Sequence, residues 1–188
     1  MKALAEQPIL STERLILRPF TQADVPTVTD LAGVRQISEM TLSIPYPYTE
    51  ADATAWISQH PQLWAEGKAI DYAITRYDVS LCGSVGLGLN PDHNLAELGY
   101  WIGQPYWGLG YATEAARAIV AFGFTTLELN RINATHFSDN PASGRVMEKL
   151  GMRCEGYRHR HTLKWGKYRD IKLYGLLQSD WYQFAQKG

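Results

Sequence analysis

Tyr106-Trp107-Gly108-Leu109-Gly110-Tyr111-Ala112-Thr113-Glu114-Ala115 is the stretch on which the fold turns. Gly108 and Gly110 open onto a run of good helix formers, and residues 94–103 upstream read as a strand. The order is strand, glycine turn, helix. Such a turn aims several free backbone N–H groups, and the positive end of a helix dipole, at one spot. That spot suits a phosphate. Glycine belongs where the backbone must come close to an anion.

Three kinds of phosphate loop compete with a plain glycine turn. A P-loop needs Gly-Lys-Ser/Thr after its glycines, and here Tyr111-Ala112-Thr113 follows. A dinucleotide fingerprint needs a third glycine or alanine at its last position, where Thr113 stands. It also opens a first strand-helix unit, whereas this loop comes after several strands. The third kind is a pyrophosphate loop of the type used for coenzyme A. The neighbouring segments weaken the plain-turn reading.

Trp107-Gly108-Leu109-Gly110-Tyr111-Ala112 resembles the acetyl-CoA loop of the GNAT superfamily of N-acetyltransferases, most closely its RimJ/RimL branch. The superfamily pattern is Gln/Arg-x-x-Gly-x-Gly/Ala, and Trp107 departs from it at the first position. Thr113-Glu114-Ala115 is typical of that branch. Residues 13–20 (ERLILRPF) look like its first strand and 96–103 (AELGYWIG) like its fourth. Residues 139–152 (DNPASGRVMEKLGM) look like the exit of its fifth strand and its fourth helix, and 155–160 (EGYRHR) like its sixth strand. The resemblance runs from residue 13 to about 178, and its specificity lies in the ordered set.

The resemblance implies a mixed α/β GNAT fold. Its largely antiparallel sheet is splayed between the fourth and fifth strands and flanked by about four helices. It implies acetyl-CoA as co-substrate, without a metal. Coenzyme contacts fall on Trp101, Ile102, Trp107, Gly108, Leu109, Gly110, Tyr111, Ala112, Thr113, Asn140 and Ser143. The acceptor is an amine, most commonly a protein or peptide N-terminal α-amine such as that of a ribosomal protein. Small amines and antibiotics are acceptors of some relatives.

Composition sets outer bounds. A chain of 188 residues, 45% hydrophobic, is expected to form one domain, 1–188, with a sizeable core. The net charge of −1 gives no broad electrostatic case for nucleic acid. Two cysteines, Cys82 and Cys154, make neither a disulfide framework nor a metal site, and both read as reduced core thiols of a cytoplasmic protein. Residues 1–10 are too short and weakly apolar for a signal peptide, and no run reaches the ~18 apolar residues of a membrane span. A monomer and a homodimer are both compatible with the sequence.

Along the chain, Leu15 to Arg18 form a first strand that Pro19 ends. Thr21 to Asp24 resemble a capping box before a short helix with Val25, Val28 and Leu31 on one face. Residues 40–48 read as an ordered aromatic loop. Thr49 to Asp52 cap a second helix, interrupted or kinked at Pro61. Residues 69–75 and 82–89 are the second and third strands, and 132–137 the fifth. Helices follow over about 111–127 and 141–150, the latter ended by Gly151. Two long strands then flank a turn at Trp165-Gly166.

Acetyl transfer to an amine needs a base, an oxyanion donor and a proton for the departing thiolate. Glu97 is the candidate base, a carboxylate in an otherwise apolar strand, where burial against aromatics would make it a better proton acceptor. The alternative is an outward-facing solvated glutamate. Ser143 is the candidate proton donor, since this helix lacks the tyrosine that many of the family carry there; its simpler role, with Asn140, is to start the helix. The oxyanion donor falls among backbone N–H groups of Gly99 to Ile102, with Gly99 marking a bulge. His161 is a substitute base. The basic residues between Arg158 and Arg169 are either an acceptor-steering patch or a solvated hairpin. Direct attack is favoured over an acetyl-cysteine route. A non-catalytic acyl-CoA-binding sensor stays open as a different class.

Overall fold

The structure, a computed structural model, describes residues 6–185. Met1 to Ala5, part of the segment read as no signal peptide, lie outside the described residues.

The strands are β1 (Leu10–Ser11), β2 (Leu15–Arg18), β3 (Ala69–Arg76), β4 (Leu81–Asn90), β5 (Leu95–Ile102), β6 (Arg131–Phe137), β7 (Arg153–Lys164) and β8 (Lys167–Leu177). They form one sheet in the order β1-β2-β3-β4-β5-β6-β8-β7. Every pairing is antiparallel except β5 with β6. The helices are α1 (Val25–Ala32), α2 (Arg35–Met40), α3 (Glu50–Ala65), α4 (Tyr111–Thr125), α5 (Pro141–Lys149) and α6 (Gln178–Ala185). The mixed α/β architecture expected from the sequence is present.

Period-two alternation sends β3 side chains to two different cores. Ile70, Tyr72 and Ile74 join Ile119, Val120 and Phe124 of α4, while Ala73 joins Val28 of α1 and Ile57 of α3. The sheet is thus a middle layer between α4 and the α1–α3 group. Each large side chain that α4 buries contributes about 1.5–3 kcal/mol on area grounds.

Both expected capping boxes form. Thr49 Oγ1 accepts from the Asp52 N–H at 3.2 Å, and the Asp52 carboxylate accepts from the Thr49 N–H at 2.8 Å. Asp24 likewise accepts from the Thr21 N–H and is also held by Arg18. Pro61 does not interrupt α3, which runs through it to Ala65. Two short helices, α2 and α6, and the two-residue β1 were not expected from the sequence. No helix among the described residues is long and apolar enough to cross a membrane.

The feature that positions the site is a fork in the sheet. β5 and β6 pair only from Leu95↔Arg131 to Leu98↔Ala134. β5 then continues to Ile102 beside β4, and β6 continues to Phe137 beside β8. The edges of Gly99–Ile102 and Thr135–Phe137 therefore face a gap.

Candidate active site

A cavity of about 1360 Å³ opens at this fork and runs along both sides of it. One side of it is the glycine loop. Gly108 (φ +77°) and Gly110 (φ +83°) hold left-handed backbone, which glycine adopts without a Cβ penalty. No described residue lies within 4 Å of where a Gly108 Cβ would be, so the loop's face is open to them. Among the described residues no side chain caps α4, and its first intrahelical bond is Glu114 N–H to Gly110 O at 3.1 Å. The amides of Tyr111, Ala112 and Thr113 precede that bond and point outward from the helix start.

The loop is clamped from behind. Glu114 accepts from Thr12 Oγ1 (2.6 Å), the Arg14 N–H (2.9 Å) and Arg14 Nε (2.7 Å), while Arg14 Nη1 donates to Leu109 O at 3.0 Å. Arg14, Arg117 and Lys149 line a shallower depression with Gly110 and Thr113. Free amides, a helix dipole and nearby cations fit the pyrophosphate of coenzyme A. Trp107, the departure from the family pattern, uses its single donor elsewhere: Nε1 donates to Ile102 O at 2.6 Å. Its contribution to the loop is to fasten it to the end of β5.

At the fork, Asn140 caps α5, its Oδ1 accepting from the Ser143 N–H at 3.3 Å. Ser143 Oγ lies 2.8 Å from the Tyr100 hydroxyl, which donates to Ser143 O at 2.9 Å. Burial pushes the Tyr100 phenol up to about 12, so it stays a donor. Tyr100 is a site residue that the sequence reading missed; it is partly buried against the core that holds Leu98 and Ile102. His136 is another. Its Nδ1 lies 2.7 Å from Phe137 O, and Nε2 is enclosed without a partner among the described residues.

Glu97, Gly99 and Trp101 point to the opposite face of β5. Glu97 lines the cavity, with Thr135 Oγ1 donating to its Oε1 at 3.2 Å. The expected burial against aromatics is not there: Glu97 is exposed, because β5 and β6 separate one residue beyond it. The bulge expected at Gly99 is also absent, since β4 and β5 keep one register from Gly83↔Ile102 to Asn90↔Leu95. The fork opens without a bulge, where β6 keeps its pairing with β8 but no longer pairs with β5.

The other side of the cavity is walled by Met40 at the end of α2, by Ile44 and Tyr48 of the 41–48 loop and by Trp56 of α3. The 158–169 basic cluster does not act as one patch. Lys164 Nζ donates to Thr41 O (2.6 Å) and Ile44 O (3.1 Å), tying the β7–β8 hairpin to that loop. Arg169, 8% exposed, bonds Asp139 at 2.6 Å and lies over the Phe137 ring. His161 is exposed on β7, outside the cavity lining. Cys82 is buried as expected, but Cys154 is exposed, because β7 is an edge strand with little covering it.

The profile of the family described as "Acetyltransferase (GNAT) domain" matches residues 14–153. The chain is 31% identical over 173 residues to the uncharacterized N-acetyltransferase YoaA of Bacillus subtilis, covering 91% of this chain and 97% of that one. Over 84 residues it is 37% identical to the ribosomal protein uS5-alanine N-acetyltransferase of Escherichia coli, 45% of this chain and 43% of that enzyme. In structure it is similar to RimL, a ribosomal L7/L12 α-N-protein acetyltransferase solved with coenzyme A. That match has a TM-score of 0.84, 20% identity, and coverage of 90% and 98%. A glycine turn opening an uncapped helix, a forked sheet and a profile match over most of the chain agree, and the chain belongs to the GNAT acetyltransferases.

Proposed function

We propose that this chain transfers acetyl from acetyl-CoA to a primary amine by direct attack, and that the amine is the N-terminal α-amine of a protein or peptide. The observation that carries the reading is one continuous cavity. It holds an uncapped, glycine-opened helix N-terminus at one end and an exposed carboxylate, Glu97, across the fork from Ser143.

Each residue has a role in that reading. Glu97, held by Thr135, takes the proton the amine loses as its nitrogen bonds to the thioester carbonyl carbon. Backbone N–H groups on the β6-facing edge of Gly99–Ile102 steady the oxygen as charge gathers on it. Ser143, or a water on it, gives a proton to the sulfur as the carbon–sulfur bond breaks. A thiol with pKa ~8.5 leaves well, so this donor matters less than the base.

An α-amine is favoured on acid–base grounds. Its pKa of ~7.7–8.0 leaves a usable neutral fraction at pH 7, whereas a lysine at ~10.4 leaves hundreds of times less. The partial match to the uS5-alanine enzyme favours the same class.

The test is thiol release from acetyl-CoA against N-terminal peptides, polyamines, aminoglycosides and amino acids, with wild type and Glu97→Gln. Acceptor-dependent release, reduced about a hundred-fold or more in Glu97→Gln, is expected. Binding of acetyl-CoA without release from any acceptor would instead make the chain a sensor.

A further inference from the structure

The acceptor side of the sheet has a floor without side chains. Gly86 on β4 is the register partner of Gly99 on β5 and of Asp71 on β3. No described residue lies within 4 Å of where a Gly99 Cβ would be, so none of them fills the space above that strand. Beside it, Asp71 leans across β4: a Cβ on Gly86 would meet Asp71 Oδ1 at 2.3 Å. The Asp71 side chain is 25% exposed, and it lines the cavity.

Asp71 lacks what an enclosed carboxylate ordinarily has. Gln7 donates to its main-chain oxygen, but the carboxylate accepts no hydrogen bond among the described residues. The nearest basic group is His60 on α3, whose Nε2 is 3.9 Å from Oδ2, too long for a hydrogen bond. His60 is 6% exposed, set against Phe20 and Trp56, and neither ring nitrogen has a partner among the described residues. Burial lowers His60 to about 4, so it is no cation at neutral pH. A polar group buried without a partner costs free energy, and native proteins usually pair it. Here the unpaired carboxylate stands where a ligand can reach it.

Glu97 is the second carboxylate on this face. It pairs with Gly88, so it lies two strands and two residues from Asp71, about 12 Å along the sheet. The floor between them is Gly86, Gly88 and Gly99. The cationic side chains that line the cavity, Arg145 and Lys149, belong to α5. Outside the lining, Arg169 is bonded to Asp139 and Lys164 to the loop carbonyls. Two negative groups at this separation over a smooth floor match an elongated acceptor with two positive ends.

We propose that Asp71, backed by His60, anchors a second cationic group of the acceptor while the reacting amine lies at Glu97, so that the preferred substrates are primary amines with another positive charge several bonds away. This rests on the acetyltransferase reading of the same site. A free diamine and an N-terminal α-amine followed by a lysine side chain share that chemistry.

The experiment pairs acceptors that differ in one charge. Hexamethylenediamine is compared with hexylamine, and alanyl-lysine amide with alanyl-norleucine amide, by kcat/KM for acetyl transfer. Wild type is expected to favour the dication by about ten-fold or more, chiefly through KM, in at least one pair; which pair responds identifies the source. Asp71→Asn should bring that ratio close to one. Gly86→Ala, which keeps the charge but takes the space of Oδ1, should lower it too. Calorimetry of the same acceptors on the coenzyme A-loaded protein reads the preference even without turnover. A ratio near one in wild type, or one retained in Asp71→Asn, overturns the proposal. Turnover of monoamines without dication preference would sink only this inference. Absence of turnover with acetyl-CoA bound would sink the enzyme reading, and the calorimetric ratio would still decide this one.

Discussion

The Tyr100 hydroxyl donates to the Ser143 carbonyl at 2.9 Å and lies 2.8 Å from the Ser143 hydroxyl. The residues are 43 positions apart, one on the forked strand β5 and one in the first turn of α5. With the phenol proton on the carbonyl, the serine proton is left to point at the phenol oxygen. Tyr100 therefore sets both the direction of the Ser143 hydroxyl and the distance between β5 and α5.

Tyr100→Phe removes both bonds while keeping the ring in its place. The loss should be about 1–2 kcal/mol of stability, a fall in Tm of a few degrees for a chain of this size. If Ser143 supplies the thiolate proton, kcat falls about ten-fold in Tyr100→Phe and in Ser143→Ala alike, and the double variant is no worse than either. Additive losses in the double variant would separate the two residues.

The glycine loop separates affinity from folding. Gly108 and Gly110 both have positive φ, so alanine at either costs about 1 kcal/mol or more of stability. A Cβ on Gly110 meets the Arg14 guanidinium at 3.4 Å, whereas one on Gly108 meets only open space where the pyrophosphate would lie. Gly108→Ala should therefore weaken acetyl-CoA binding about ten-fold or more, beyond its effect on Tm. Calorimetry beside thermal melting checks this, and equal losses in both would place the pyrophosphate elsewhere.

His60 and Asp71 give opposite pH signatures. His60 is lowered to about 4, so the stability it contributes is complete above about 6.5 and is lost as pH falls toward 4. Asp71 is raised by burial to about 6, so its contribution is complete below about 3.8 and is lost as pH rises through 6. Above pH 6 the enclosed charge of Asp71 destabilises the fold. Asp71→Asn should be more stable than wild type at pH 7 by about 1–3 kcal/mol, with the gain shrinking toward zero near pH 4. Urea unfolding of both proteins at several pH values reads this difference, and a gain independent of pH would remove charge burial as its cause.

The elements legible in the sequence are those whose signal is local. The 108–110 glycines, the caps at Thr49 and Asn140, and the turn at Gly151 each satisfy nearby backbone groups, and each stands where the sequence put it. The fork followed from the family resemblance, and its local form did not: Gly99 suggested a bulge, whereas β4 and β5 keep one register and the β5–β6 ladder ends at Leu98↔Ala134. Glu97 was found as a polar residue in an apolar strand, but its exposure depends on where β6 departs, which is a property of another segment. Asp71, His60 and Tyr100 were missed for one reason. Each becomes chemically distinct only through a residue far away in the chain, and no spacing within their own segments marks them.

Lys164 links the two halves of the acceptor entrance. Its ammonium donates to Thr41 and Ile44 carbonyls, and the Trp165 ring lies 5.7 Å from Nζ and 5.3 Å from the Arg35 guanidinium. Burial lowers its pKa, and its ammonium holds two carbonyls, of which Ile44 O also accepts from Ser38 Oγ at 2.7 Å. Lys164→Ala leaves Thr41 O to water and Ile44 O to Ser38 alone, and removes the ammonium that ties the 41–48 loop to the hairpin. The glycine loop and Ser143 do not touch this contact, so acetyl-CoA affinity should hold. The acceptor KM should rise about five- to thirty-fold, the equivalent of one or two charged hydrogen bonds. Lys164→Arg should recover part of the loss, because its longer fork can still reach a carbonyl. A rise in the coenzyme Kd matching that in KM would mean that the hairpin braces the whole cavity instead of its acceptor half.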